Sequence, residues 1–169
     1  RAKVVLDALG ILKEEGDAVP IVGNLTGPVS TASSVMEPVV FYKELRKKNV
    51  DAHAFMQFVT DQLIRFGQAQ IEAGADVIAI SDPSATGEIL GPKYFREFTV
   101  RYVNQIVDAM KEAGAQTIVH ICGHMNPVYK EVDEIHSDAL SFDSVVPMKE
   151  AREELKGRTL MGNVSTYTL

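Results

Sequence analysis

A histidine and the chain's single cysteine stand two positions apart, at His120-Ile121-Cys122. On a strand, side chains at i and i+2 leave the same face, so this imidazole and this thiol converge on one point. Zinc accepts imidazole nitrogen at ~2.0–2.1 Å and thiolate sulfur at ~2.3 Å, which makes the pair half of a metal site. Gly123 follows at once and lets another group approach the backbone closely. A buried cysteine beside a hydrogen-bonded core histidine has the same spacing, and two ligands alone do not make a zinc site.

Other residues gather around the same feature. Asp143 lies twenty-one residues after Cys122, at the end of the next expected strand. Neighbouring parallel strands run ~4.8 Å apart, so its carboxylate can serve as a weak or exchangeable ligand. It can equally cap the turn into a helix near Met148. Asp82 precedes Pro83 and is expected to face the same end of the sheet, open to substrate binding, acid-base work or turn capping. Asn24 and Asn163 occupy equivalent strand-end places and can hydrogen-bond a polar ligand. His124 is a further possible ligand, though a loop position suits capping or solvent better. His53 and His136 are expected on helix surfaces, away from the strand ends. Gly27-Pro28 reads as a rigid turn, and Lys43, Glu44, Arg46, Lys47 and Lys48 as a solvated helix end.

The elements that must position these residues alternate between short apolar runs and longer amphipathic ones, the signature of βαβ units around a parallel sheet. Five strands are predicted, at 21–25, 77–81, 117–122, 139–142 and 159–161. Each is apolar with little alternation, as expected for strands covered on both faces. Asp51 caps a predicted helix running to about Ala73, and Pro92 opens one running to about Ala113. In the second, Phe95, Phe98, Tyr102, Ile106, Ala109 and Ala113 recur at three- and four-residue steps. Glu72-Ala73-Gly74-Ala75 and Glu112-Ala113-Gly114-Ala115 form a weak repeat forty residues apart, each leading into a strand. Polar and ionisable residues collect at the C-terminal ends of all five strands, where a (β/α) barrel keeps its chemistry. No Gly-x-Gly-x-x-Gly turn follows the first strand, so a dinucleotide-binding sheet is disfavoured. The expected fold is a TIM (β/α)8 barrel represented by about five βα units, one partial domain over residues 1–169.

Composition bounds the rest. The 169 residues carry a net charge of −6, against the basic stripe that a nucleic-acid groove requires. No apolar run approaches the ~20 residues of a membrane-spanning helix. A lone cysteine excludes an intrachain disulfide framework and suits a reducing compartment, so a cytoplasmic location is expected. The chain starts at Arg1 within a helical pattern (Ala2, Val5, Leu6, Leu9, Leu12) and stops at Leu169 just after a Gly-Asn turn, so a longer parent chain is expected.

Together, Gly23-Asn24-Leu25-Thr26-Gly27-Pro28, Gly74-Ala75-Asp76-Val77-Ile78 leading to Asp82, His120-Ile121-Cys122-Gly123 and Gly162-Asn163 resemble the uroporphyrinogen decarboxylase superfamily. His-x-Cys-Gly separates its branches and points to the methylcobamide:coenzyme M methyltransferases. In that branch the His and Cys bind zinc with a second cysteine supplied much later. The match carries over to His120 and Cys122, and the second cysteine has no counterpart up to Leu169. True decarboxylases have a Lys-Gly-Gly type loop there and no zinc ligands.

The resemblance implies a methyltransferase in which zinc strips the proton from a small thiol substrate. The thiolate then attacks a methyl group carried on a corrinoid, either a corrinoid partner protein or free methylcobamide. Asp143 is the expected holder of the fourth zinc position until the thiol displaces it. The competing readings are a zinc-free lyase on the same fold, the opposite half-reaction loading methyl groups onto a corrinoid protein, and a non-catalytic barrel. No nucleic-acid or membrane partner is expected, and an oligomer is possible.

Overall fold

The structure, a computed structural model, describes residues 2–16, 18–47 and 50–165. Arg1, Lys48 and Leu169, which entered the sequence reading at a helix start, a helix end and a chain stop, lie outside these. Among the described residues, no helix is long and apolar enough to cross a membrane.

Five strands form one sheet: β1 (Val22–Thr26), β2 (Val77–Ser81), β3 (Gln116–Ile121), β4 (Ala139–Phe142) and β5 (Thr159–Met161). Their order in space is their order in sequence, and every pairing is parallel. That order is the one a (β/α) barrel uses, whereas a doubly wound sheet reverses at a switch point. The chain therefore has an α/β fold of TIM-barrel type, present as five consecutive units.

The helices are α1 (Ala2–Glu14), α2 (Pro28–Val35), α3 (Pro38–Lys47), α4 (Val50–Glu72), α5 (Gly87–Tyr94), α6 (Arg101–Glu112), α7 (Tyr129–Asp133) and α8 (Met148–Glu154). Gly27-Pro28 is a helix start and not a rigid turn: Gly27 is extended (φ −65°, ψ 166°) and Pro28 takes the first helical position. Proline suits it, since the first turn leaves its N–H groups unbonded and φ near −65° is already helical. The charged stretch does end α3, with Lys43, Arg46 and Lys47 exposed and Lys47 paired to Glu44 at 2.6 Å. The helix predicted to open at Pro92 begins at a kink within α5, made by Gly91, whose φ of 67° and ψ of 167° suit only glycine. Between α5 and α6 the chain makes one π-helical stretch, Phe95–Val100, which the three- and four-residue spacing did not announce.

Burial along the strands corrects the sequence expectation. Exposure alternates residue by residue in β1, β2 and β3, so one sheet face is covered and the other is open. Leu25, Ile78, Ile80, Val119, Ile121, Leu140 and Phe142 point under the helices, where Met56, Phe98, Tyr102, Ile106 and Met110 meet them. The apolar runs look continuous because the open face also carries Val22, Val77, Ala79 and Ile118. Gln70, fully buried in α4, grips the edge strand β1 by donating to Asn24 O (3.1 Å) and accepting from Asn24 N (3.0 Å).

Candidate functional site

Register alone stacks side chains across the open face. Thr26, Ser81, His120, Ser141 and Met161 are successive partners from β1 to β5. One step toward the N-terminal ends the row reads Asn24, Ala79, Ile118, Ala139 and Thr159. Hydrogen-bonding groups thus concentrate at the C-terminal edge of the sheet and hydrocarbon dominates below, as in a barrel whose chemistry sits at one mouth.

His120 and Cys122 converge there. His120 Nε2 lies 3.4 Å from Cys122 Sγ, and His120 Nδ1 lies 3.0 Å from Ser141 Oγ. Both groups are only half-buried. Burial lowers the pKa of His120, with Asp143 opposing that shift, and burial and then Asp143 raise the pKa of Cys122. The resting pair is therefore a neutral imidazole and a protonated thiol.

Whether the pair fits a metal can be judged from that separation. Bonds of ~2.05 Å to nitrogen and ~2.3 Å to sulfur at a tetrahedral angle put the two donors about 3.6 Å apart. The observed 3.4 Å fits zinc with little adjustment. Among the described residues no three His, Cys, Asp or Glu side chains come together to hold a metal ion, so these two supply half a coordination sphere.

Asp143 is adjacent but occupied. Its Oδ2 accepts from Gly123 N (3.3 Å), and its Oδ1 accepts from Ser144 Oγ (3.2 Å) and Val145 N (3.3 Å). These bonds, Gly123 first, hold its carboxyl below the ordinary range, so it stays anionic. In this geometry it ties the loop after β3 to the loop after β4 and does not complete a three-donor cluster. Asn163 supports the same junction, donating from Nδ2 to Asp143 O (2.7 Å) and Val146 O (2.6 Å). Both of its amide protons are thereby spent inside the protein. The side chain of Asn24 remains exposed.

Asp82 does not face the open end, contrary to expectation. It is 0% exposed and accepts from Val29 N (3.1 Å) and Ser30 N (2.7 Å) at the start of α2. Burial pushes its pKa up to about 6 against the pull of Ser30 and Val29. A Cβ on Gly27 would lie 2.4 Å from the Asp82 Cβ and Cγ, so glycine is what lets strand end and helix meet. The Asp82 backbone N–H donates to His120 O (2.9 Å), which links this cap to the His120–Cys122 pair through the sheet.

The other histidines separate. His124 is exposed in the loop after β3, and His136 is an exposed loop residue, not a helical one, with Nδ1 2.8 Å from Asp108. His53 is on α4 and is half-buried: its ring stacks on Phe98, with Nδ1 2.8 Å from Tyr102 Oη and Nε2 3.3 Å from Glu97. Sequence reasoning missed Ser141. The twenty-one-residue step that pairs Cys122 with Asp143 also pairs His120 with Ser141, so the signal was available. It also missed Thr86 and Glu88, which lean over Gly123 within 3.3–3.4 Å of where its Cβ would be. Gly123 itself has φ +80°.

Comparison with known proteins bears on the family and the fold. The family model for uroporphyrinogen decarboxylase (URO-D) matches residues 1–169. The chain is 32% identical over 170 residues to the methylcobamide:CoM methyltransferase MtbA of Methanosarcina acetivorans, covering 100% of this chain and 50% of that protein. It is 28% identical over 178 residues to a uroporphyrinogen decarboxylase of Chlorobaculum tepidum, covering 98% and 49%. A solved methyltransferase from Methanosarcina mazei superposes with a TM-score of 0.90 at 34% identity, covering 99% of this chain and 50% of that one. A B12-independent methionine synthase from Shewanella shares the fold alone, with a TM-score of 0.59 at 17% identity. The chain spans about half the length of the relatives it matches.

Proposed function

The chain belongs to the uroporphyrinogen decarboxylase family, and from that footing we propose that the protein moves a methyl group between a methylcobamide and a thiol such as coenzyme M. In this reading His120 and Cys122 hold zinc. The observation that carries it is the 3.4 Å approach of His120 Nε2 and Cys122 Sγ on the open sheet face, the separation two zinc donors need. The names of the methyltransferase relatives supply the methyl donor and the thiol. A zinc ion bound there would supply the positive charge that makes the thiolate the stable form of a thiol substrate at neutral pH.

The chain's own residues do the rest. Cys122 rests protonated, so metal uptake releases its proton, and the neutral imidazole of His120 offers a lone pair without losing one. In the transfer, the substrate sulfur supplies the electron pair for the new S–C bond. The Co–C bond breaks with its electrons left on cobalt. Asp143, kept anionic beside the pair, holds Gly123 in place and would be the carboxylate nearest to an ion held by His120 and Cys122. Asp82 acts as a positioning residue that fixes the start of α2 against the end of β2. Asn24 offers a polar side chain to a substrate, and Asn163 braces Asp143.

The test uses the full-length protein. Zinc content and methyl transfer from methylcobalamin to coenzyme M are measured for wild type, His120→Ala and Cys122→Ser. Each variant is expected to lose zinc and at least about 100-fold in rate. A wild type with neither stoichiometric zinc nor methyl transfer would overturn the reading in favour of a zinc-free lyase, and variants with full turnover would remove His120 and Cys122 from the reaction. Asp143→Ala is expected to retain zinc while changing the affinity for the thiol, and unchanged affinity would remove Asp143 from the proposal.

A further inference from the structure

We propose that Ser141 sets the tautomer of His120: the ring Nδ1–H donates to Ser141 Oγ, which leaves the Nε2 lone pair directed toward Cys122. As a route to a competent metal donor, this rests on the reading of His120 and Cys122 as zinc ligands. The two distances that it starts from need no metal.

A neutral imidazole has one proton and two nitrogens, and only the bare nitrogen can bind a metal. Here each nitrogen meets a different neighbour. Nε2 faces the Cys122 sulfur at 3.4 Å and Nδ1 faces Ser141 Oγ at 3.0 Å. Metal binding through Nε2 requires the proton on Nδ1, and a proton on Nδ1 requires an acceptor. The Ser141 hydroxyl oxygen is that acceptor. A hydroxyl can also donate, but then Nδ1 would be the bare nitrogen and Nε2–H would point at the thiol, a form unable to take the metal.

The placement of Ser141 is built into the sheet. His120 and Ser141 are direct register partners on β3 and β4. The residues flanking Ser141, Leu140 and Phe142, are 1% and 3% exposed on the opposite face. They lock β4 so that the hydroxyl of Ser141 can only project toward the open side. The other register neighbours are Ser81, beside His120, and Met161, beside Ser141. The thioether of Met161 is a weak acceptor that cannot replace an oxygen. The paired strand therefore holds the oxygen that Nδ1 meets among the described residues, the arrangement by which outer groups orient metal-binding histidines.

The experiment reads the ring directly. In metal-free full-length protein with ¹⁵N-labelled histidine at mildly alkaline pH, long-range ¹H–¹⁵N spectra are expected to show His120 in the Nδ1–H form. Ser141→Ala is expected to move it toward the Nε2–H form and to weaken zinc binding, measured by competition with a chromophoric chelator, by about 10- to 100-fold. Ser141→Thr keeps the hydroxyl and is expected to restore both. An unchanged tautomer together with unchanged zinc affinity in Ser141→Ala would overturn the proposal. If wild type takes up no zinc, the metal reading fails by itself. The tautomer measurement, which needs no metal, still decides the role of Ser141.

Discussion

At the scale of single residues, the two aspartates near the site behave in opposite ways. Asp143 sits among donors in half-open surroundings and is held anionic. Asp82 also accepts from backbone N–H groups, yet complete burial raises it from an ordinary 3.8 to about 6. Because the folded value lies above the unfolded one, protonation of Asp82 favours the fold. Its contribution is fully present below the unfolded pKa and is lost as pH rises through about 6. Between about pH 7 and about pH 5, wild type should therefore gain about 1 kcal/mol of stability relative to Asp82→Asn. Urea midpoints of the two proteins at both pH values check this. A parallel pH dependence would mean that Asp82 is ionised throughout.

At the scale of elements, two glycines, one before α2 and one at the kink within α5, are needed for different physical reasons. Gly27 is a matter of space, since its missing Cβ is filled by the Asp82 side chain. Gly27→Ala must push β2 and α2 apart and is expected to cost about 1–3 kcal/mol through overpacking. Gly91 has nothing within 4 Å of its would-be Cβ, but its φ of 67° and ψ of 167° exclude other residues. Gly91→Ala is expected to cost about 1–3 kcal/mol as backbone strain alone. Methyl transfer and zinc content distinguish them: Gly27→Ala disturbs the β2 end that borders His120, whereas Gly91→Ala lowers the unfolding midpoint and leaves zinc uptake intact. Equal effects on zinc would show that α5 and α2 are equally coupled to the pair.

At the scale of the whole molecule, the helices cover one sheet face and the other stays open. The open face exposes Val22 and Met161, with β1 and β5 at the ends of the strand order. Val4, Val5, Ile11 and Leu12 of α1 are also exposed, and Leu9 is its one buried residue. Among the described residues β1 and β5 each pair with one strand, and a sheet with unpaired edges and an apolar inner surface attracts other chains. The 169-residue chain studied by itself is therefore expected to bind a hydrophobic dye and to associate with rising concentration, read by light scattering. A dye-silent monomer would show that this surface is covered by its own residues.

Much of this was legible along the sequence because it is local. The strand at 77–81, the helix resumed at Pro92 and the shared face of His120 and Cys122 all follow from side-chain period and from turn residues. The long helix α4 was legible too, although Asp51 lies inside its first turn and does not cap it. The twenty-one-residue step between strands even carries the pairing of β3 with β4. Only the tertiary structure decided which sheet face is bare, that Asp82 turns inward to α2, and that His120 leans on Ser141. Those outcomes join residues as much as 53 positions apart. Apolar runs look alike whether one face is buried or two, and an Asp-Pro pair looks the same whether it caps a helix or meets a substrate. What separates the cases is the burial and the hydrogen-bond partner that distant segments impose.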